Sequence, residues 1–374
     1  MIDLSDLHVV DGHCHPLLAD PWTVSPADFA NLFTEARPGT MAAHVPHTGY
    51  FRRALRALSN RLGTEATIEA VLEGRRQNGG EAARRIFANG RIDALVVDTG
   101  YPPEAMPLDA MRGVLPCPIH EIFRIETCAE HLLGRGLPYS AFVDAFQDEL
   151  RAAARRVVGF KSIIAYRSGL AIRPWPPEEA AAAYQNALGR LQSSGSPRLT
   201  DKPLLDTLVE VALHVCRDTG RPLQLHSGFG DPDIDLPRAN PALLRPVLED
   251  PRWASVRLVI LHMSYPYYRD AAFMASVWPQ VSVDISLAPV FLGPGIVGPL
   301  VEMLSLAPSS KLLYGSDVSA VPELFGLCAE WTRASLGEAL EFLRERDGFT
   351  DAEVREIGRQ ILSKNAIELY SLPS

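Results

Sequence analysis

Eight short apolar runs with the composition of β-strands alternate with longer helical stretches along this chain of 374 residues. The runs begin near residues 7, 92, 118, 157, 222, 256, 281 and 311. Such alternation is typical of βα units whose strands form a parallel sheet. Eight units predict an α/β fold in which the sheet closes into a (β/α)8 TIM barrel.

The chain is longer than a barrel requires. A typical TIM barrel needs about 250 residues, so roughly a third of this chain is elaboration. We predict one barrel domain over residues 1–374, with a helical insertion at about 16–91 and a smaller one at about 166–202. Both insertions follow a strand, on the face where barrel active sites are built, so we expect them to act as lids.

Composition excludes several classes of partner. The formal net charge is −9, from 36 Lys plus Arg against 45 Asp plus Glu, and no basic stripe is present. A nucleic-acid partner is therefore not expected, because phosphate binding relies on clustered positive charge. The N-terminus lacks the features of a signal peptide, and no run of about 18 apolar residues predicts a membrane span. We expect a cytoplasmic protein that acts on a small-molecule substrate; homo-oligomerisation stays open.

The first apolar run ends in the motif Asp11-Gly-His13-Cys-His15. Alternation along a strand places Asp11, His13 and His15 on one face. Two imidazoles on one face can converge on a metal ion, at the usual distance of about 2.0 to 2.1 Å. At the end of the first of eight strands, this pair predicts a metal site.

Three later runs also end in a polar side chain that follows buried apolar residues. These residues are His226, His262 and Asp317. Strand-end residues of a parallel barrel point into its C-terminal mouth, where imidazole and carboxylate can ligate a metal or transfer protons. The repeated position favours one shared site over three unrelated structural residues.

Lys161 lies inside the apolar fourth run, where a lysine must be paired, modified or desolvated. Three readings remain open. The lysine could form a buried ion pair, bind an anion of the substrate, or react with carbon dioxide to become a carbamate that bridges two metal ions.

These motifs together resemble the amidohydrolase superfamily, and within it the amidohydrolase-2 group. The resemblance spans nearly the whole chain. The stretches HVPHTGYFRRAL, GFKSIIAYRSGL, LQLHSGFGD and KLLYGSD are similar to the nodulin/FluG-type branch, whose members include domains fused to glutamine-synthetase-like enzymes. The resemblance implies a metal-dependent TIM-barrel hydrolase.

The resemblance also implies roles for the motif residues. His13, His15 and His226 would hold a divalent metal, Asp317 would ligate it and act as general base, and His262 would polarise or protonate the reacting carbonyl group. The expected cofactor is zinc, with Mn, Fe, Co or Ni as alternatives. One ion is expected, or two if Lys161 is carbamylated.

Candidate substrate-binding residues lie in the two insertions. They are Arg167, Tyr166, His44, His47 and Arg52. An arginine can bind a substrate carboxylate through two parallel hydrogen bonds. Together with the FluG-type resemblance, this favours hydrolysis of an amide C–N bond in a small carboxylate-bearing substrate, such as a γ-glutamyl-type amide. The alternatives are a metal-dependent nonoxidative decarboxylase and a barrel that serves as a non-catalytic binding or regulatory module.

Overall fold

The computed structural model describes residues 2–102 and 104–373. Eight parallel strands form one sheet in the order of the sequence, which confirms the predicted α/β barrel. The strands are β1 (Val9–Cys14), β2 (Ile92–Asp98), β3 (Ile119–Arg124), β4 (Gly159–Ser162), β5 (Leu223–Leu225), β6 (Leu258–Ile260), β7 (Val281–Asp284) and β8 (Leu312–Leu313).

Helices connect and cover the strands. Among the described residues, the α-helices are α1 (Pro26–Asn31), α2 (Gly49–Leu62), α3 (Ile68–Gly90), α4 (Leu108–Val114), α5 (Ile125–Leu133), α6 (Tyr139–Ala153), α7 (Ile164–Arg167), α8 (Pro177–Ser194), α9 (Lys202–Thr219), α10 (Arg245–Glu249), α11 (Tyr268–Val277), α12 (Ala288–Leu292), α13 (Val297–Leu306), α14 (Glu323–Asp347), α15 (Asp351–Arg359) and α16 (Asn365–Tyr370). A short π-helical segment, Gln360–Lys364, joins the last two.

The barrel closes through backbone hydrogen bonds between β1 and the segment that follows β8. The amide of Gly12 donates to the carbonyl of Tyr314 at 2.9 Å, and the amide of Asp317 donates to the carbonyl of His13 at 2.9 Å. A glycine is needed at position 12, because a Cβ there would lie 2.9 Å from the Tyr314 oxygen. The closure places the end of β8 directly beside the histidine motif of β1.

The opposite end of the barrel is filled from below by α16. Apolar side chains of the strands, among them Val10 and Val96, pack there against Ala366 and Tyr370. Gln224 of β5 donates to the Gly12 carbonyl at 2.9 Å and to the Tyr370 hydroxyl at 2.8 Å. The barrel is therefore a packed core with its polar residues at the C-terminal end, as its fold class predicts.

The first insertion is fixed to the barrel by a fully buried ion pair. Arg75 of α3 contacts Glu323, the first residue of α14, and neither side chain is exposed to solvent. The same guanidinium donates to the Pro21 carbonyl at 2.6 Å. Further along, Arg37 of the insertion contacts Asp233 of the loop after β5 at 3.4 Å. The insertion thus contacts both α14 and the loop after β5.

One segment of the described residues, Ala288–Leu306, is long and apolar enough to cross a membrane by length and composition. It is not one continuous α-helix, since α12 ends at Leu292 and α13 begins at Val297. Between them Gly293 has a φ of +56°. Length and composition alone are weak grounds for a span, because apolar helices of soluble proteins have the same properties.

Candidate metal centre

The histidine motif of β1 is built on an irregular strand. The pairing of β1 with β2 shifts register between Asp11 and Cys14, which breaks the alternation of side chains. The prediction that Asp11 shares a face with His13 and His15 is therefore wrong. Asp11 instead accepts hydrogen bonds from the backbone amides of Ser316, at 2.9 Å, and of His13, at 3.3 Å. It ties β1 to the segment that carries Asp317.

His13, His15 and Asp317 converge as the sequence predicted. Their ligand atoms all lie within 4.8 Å of one another. Oδ1 of Asp317 lies 3.0 Å from Nε2 of His13 and 3.2 Å from Nε2 of His15. Burial alone would raise the pKa of Asp317, but His262, His13 and His15 around it lower that pKa well below the ordinary value. The carboxylate is therefore ionised.

The donor set fits a divalent metal. Among the described residues, Oδ1 of Asp317 is buried and makes no hydrogen bond of good geometry, although it lies close to Nε2 of both imidazoles. Burial, with a contribution from the charge of Lys161, lowers the pKa of His13 to about 4, so its imidazole is neutral as ligation requires. Nδ1 of His15 lies 3.2 Å from the Asp98 carbonyl, which leaves Nε2 free to face Asp317. Two imidazoles and one carboxylate are ligand types that bind zinc and similar ions.

Lys161 of β4 lies beside this cluster. Its Nζ is 3.0 Å from Nε2 of His13 and 3.6 Å from Oδ2 of Asp98. Asp98 is also held by Arg124 of β3, at 2.6 Å. Burial opposes ionisation of Asp98, but Arg124 and Lys161 lower its pKa well below the ordinary value. The buried lysine thus has an anionic partner on one side and the proposed metal ligands on the other.

His226 and His262 form a hydrogen-bonded pair at the edge of the cluster. Nδ1 of His226 lies 2.9 Å from Nε2 of His262, and Nε2 of His226 lies 3.1 Å from the Phe229 carbonyl. His226 is not part of the group that His13, His15 and Asp317 form. His262 reaches it more closely, with Nδ1 at 3.9 Å from Oδ2 of Asp317.

Two of the site residues have a left-handed backbone, which is rare outside glycine and asparagine. His262 has a φ of +63° and Asp317 a φ of +59°. Residues held in this region cost of order 1–3 kcal/mol each and persist where the surrounding structure enforces them. Both residues lie in the segments that follow the short strands β6 and β8.

Tyr166 and Arg167 follow β4 on the short helix α7. The ring of Tyr166 lies 4.0 Å from the ring of His226, centroid to centroid. A Cβ at Gly230 would lie 2.1 Å from the Tyr166 hydroxyl, so the loop after β5 passes close to this side chain. Arg167 contacts Glu130 at 3.3 Å, but its Nε and Nη1 atoms are buried without hydrogen-bond partners among the described residues.

The three candidate substrate-binding residues of the first insertion lie at the surface, unlike Tyr166 and Arg167. His44, His47 and Arg52 are exposed. Arg52 donates to the Pro46 carbonyl at 2.9 Å and contacts Nδ1 of His47 at 3.1 Å. These contacts bind the side chains to each other at the surface, and the structure does not bring them to the metal cluster.

Sequence reasoning missed Asp98 and Arg124, which support Lys161. Both stand at the ends of strands, in IDALVVD and IHEIFR. The rule that identified Asp317, a polar residue that closes an apolar run, would also have identified Asp98. Arg124 had no such signal, because β3 is not an apolar run: its sequence, Ile-His-Glu-Ile-Phe-Arg, already contains two polar residues before Arg124.

Comparison with known proteins finds a matching family and a curated relative. A family model described as Amidohydrolase, Amidohydro_2, matches residues 134–372. The chain is 28% identical to the protein FluG of Emericella nidulans, over 97% of this chain and 46% of that protein. It therefore spans about half the length of this curated relative.

Solved structures show the same fold. A proposed metal-dependent hydrolase from Lactobacillus casei is 30% identical, with a TM-score of 0.88 that covers 98% of this chain and 96% of that one. A uronate isomerase from Thermotoga maritima is 15% identical, with a TM-score of 0.68 over 98% of this chain and 95% of that one, which shows a shared fold alone. The chain belongs to the amidohydrolase-2 family, as a metal-dependent TIM barrel of the amidohydrolase superfamily.

Proposed function

We propose that this protein is a hydrolase that cleaves the amide C–N bond of a small carboxylate-bearing substrate. The observation that carries the proposal is the convergence of His13, His15 and Asp317, whose ligand atoms all lie within 4.8 Å of one another. These residues would hold a divalent metal, of which zinc is the first to test. Such a metal lowers the pKa of a bound water and polarises a carbonyl group.

The chain's own residues supply the proton transfers. Asp317 is ionised and can accept a proton from the attacking water and pass it to the leaving amine nitrogen. Its Oδ2 is the oxygen nearer to His262, at 3.9 Å. His262 would stabilise the developing oxyanion, which requires it to exchange one of its present hydrogen bonds for the substrate.

Arg167 supports the acidic character of the substrate. Its guanidinium is largely buried, and two of its nitrogen atoms, Nε and Nη1, have no hydrogen-bond partner among the described residues. Unsatisfied buried donors are costly, so a ligand that accepts from them is favoured. A carboxylate matches the fork of the guanidinium, and γ-glutamyl-type amides are the first class to test.

The test combines metal content with product analysis. Metal per chain is measured by plasma mass spectrometry in the wild type, Asp317→Asn and Asp93→Asn, a control that changes an exposed carboxylate paired with His8. Metal-dependent amine release is then measured on a panel of carboxylated amides. We expect metal in the wild type and the control, its loss in Asp317→Asn, and amine release by metal-loaded protein.

Other outcomes decide against the proposal. Carbon dioxide release without amine would establish the decarboxylase instead, and metal binding without turnover of either substrate class would favour a non-catalytic barrel. Lys161→Ala distinguishes the readings of the lysine. Two metal ions that fall to one or none would indicate a carbamate bridge, whereas one ion that is unaffected would leave Lys161 as the partner of Asp98.

A further inference from the structure

A surface cavity of about 380 Å³ lies beside the ends of β2 and β3 and is also lined by residues of the helices α5 and α6. This volume falls within the range of about 300–1,000 Å³ that is typical of small-molecule sites. Among the described residues that line the cavity, none belongs to the metal cluster of His13, His15 and Asp317. The cavity is therefore a second candidate site, connected to the metal cluster through Arg124, the partner of Asp98.

Two side chains of opposite charge line this cavity without contacting each other. Arg135 follows the end of α5, and Glu149 lies on α6. No ion pair joins them, so their charged atoms are more than 4.0 Å apart. The guanidinium of Arg135 makes no hydrogen bond or ion pair with the residues that the structure describes. A ligand is thus free to bind to it from the cavity.

The other guanidinium at the cavity is already neutralised. Nη2 of Arg124 lies 2.6 Å from Oδ2 of Asp98, and its Nη1 donates to the Gly100 carbonyl at 3.3 Å. Arg135 and Glu149 therefore remain as one positive and one negative charge without an ion-pair partner in the described part of the chain. A ligand that carries both charges complements these two groups better than an anion or a cation alone.

The rest of the lining suits a short hydrocarbon skeleton. Phe123 and Leu132 contribute apolar surface to the cavity. Thr127 adds a hydroxyl group that makes no hydrogen bond with any other described residue. Apolar walls with a few polar groups are the usual composition of a small-molecule site.

We propose that this cavity binds a small zwitterion, such as an amino acid, with its carboxylate on Arg135 and its ammonium group on Glu149. A guanidinium offers parallel N–H donors that match a carboxylate, and the carboxylate of Glu149 accepts from an ammonium group. Both interactions are charge-assisted hydrogen bonds, and neither requires a metal. The ligand binds here in addition to any substrate of the metal centre and is not cleaved in this cavity.

Cys128 provides a local probe of occupancy. It lines the cavity and is partly buried, whereas the other four cysteines are buried. Burial, with a contribution from Glu149, raises the pKa of its thiol to about 12, so its alkylation by a maleimide is slow enough to follow. Loss of the label in Cys128→Ser assigns the reaction to this residue. A ligand in the cavity should slow the reaction in a saturable way.

The ligands to test are three zwitterions of increasing length, each compared with the acid that lacks its amino group. The pairs are glycine with acetate, β-alanine with propionate, and γ-aminobutyrate with butyrate. Rates are measured on the full-length protein as purified. We expect at least one zwitterion to protect Cys128 at a concentration about tenfold lower than its matched acid, from one further charge-assisted hydrogen bond. Equal protection by the matched acids, or no protection by any zwitterion, would overturn the proposal.

Variants assign the two charges to the two ends of the ligand. Arg135→Gln should raise the half-protecting concentration of the zwitterion about tenfold, and Glu149→Gln should abolish its advantage over the matched acid. Arg151→Gln and Asp148→Asn are the matched controls, since both residues are exposed on α6 and do not line the cavity. Each protected rate is compared with the rate of the same variant without ligand.

Two results would place the ligand elsewhere and refute the assignment. One is protection that is unchanged in both Arg135→Gln and Glu149→Gln. The other is protection that disappears in Asp317→Asn but persists in Arg135→Gln, which would indicate binding at the metal cluster. The measurement needs no turnover. Its failure would therefore leave the proposed hydrolysis standing, and failure of the hydrolysis assay would leave this cavity untouched.

Discussion

The buried pair of Arg75 and Glu323 gives a sharp test of how the first insertion is held. Nε and Nη2 of Arg75 contact the two carboxylate oxygens of Glu323 at 2.7 and 3.1 Å. Both side chains have 0% exposure. Glu323→Gln keeps the shape of the side chain but leaves a buried guanidinium without a counter-charge. Removal of one member of such a pair costs about 3–5 kcal/mol in the free energy of unfolding.

Replacement of both members has a different consequence. The double variant Arg75→Met with Glu323→Leu leaves no buried charge, and pairs replaced in this way by apolar residues are often neutral or more stable. We therefore expect it to be more stable than either single variant. A loss equal to the sum of the two single losses would contradict the reasoning, because it would mean that the charges do not depend on each other.

The assay is urea unfolding followed by circular dichroism, with the midpoint and the slope m fitted for each variant. A loss of 3–5 kcal/mol lowers the folding equilibrium constant by about two to almost four powers of ten. Glu73→Gln is the matched control, since Glu73 contacts Arg76 on the exposed side of the same helix α3. We expect its midpoint to equal that of the wild type. A Glu323→Gln loss below about 1 kcal/mol would refute the assignment of a buried uncompensated charge.

Two further predictions concern pH and substrate recognition. Burial lowers the pKa of His13 to about 4, from 6.5 in the unfolded chain. Between these two pH values the imidazole is therefore protonated in the unfolded chain and neutral in the folded protein. The stabilisation of metal-free wild type relative to His13→Gln should therefore fall by about 3 kcal/mol between pH 6.5 and pH 4 in urea unfolding; a difference independent of pH would contradict this. Arg167→Met should raise the KM of a carboxylated substrate about 10- to 100-fold with little change in kcat, from the loss of a charge-assisted hydrogen bond. An equal rise for the uncharged methyl ester of that substrate would show that Arg167 does not contact the carboxylate.

The barrel was predictable because its signals are local. Eight apolar runs mark the eight strands, and residues that close these runs, such as His13, His15 and Asp317, meet because parallel strands end on the same face. Membership of the amidohydrolase-2 family followed from the same motifs. The register shift in β1 was missed because alternation assumes a regular strand, although Gly12 lies inside the shifted segment and a glycine within a strand often marks a bulge.

Side-chain contacts between segments that are distant in the sequence could not be predicted either. Asp98 and Arg124 support Lys161 from two other strands, and Ser286 reaches His262 across β6 and β7. Each pairing depends on side-chain rotamers and on the stagger of neighbouring strands, which a single sequence does not encode in any local pattern. Buried partners of this kind emerge only once the strands are placed side by side.

The left-handed backbone at His262 and Asp317 bears on any attempt to engineer this protein for heat resistance. Glycine adopts that conformation without steric cost, so His262→Gly or Asp317→Gly would relieve backbone strain. A screen for melting temperature alone would therefore select substitutions at two positions whose side chains form the site. Directed evolution of this barrel therefore calls for joint selection on stability and metal retention, because the two properties compete at these residues.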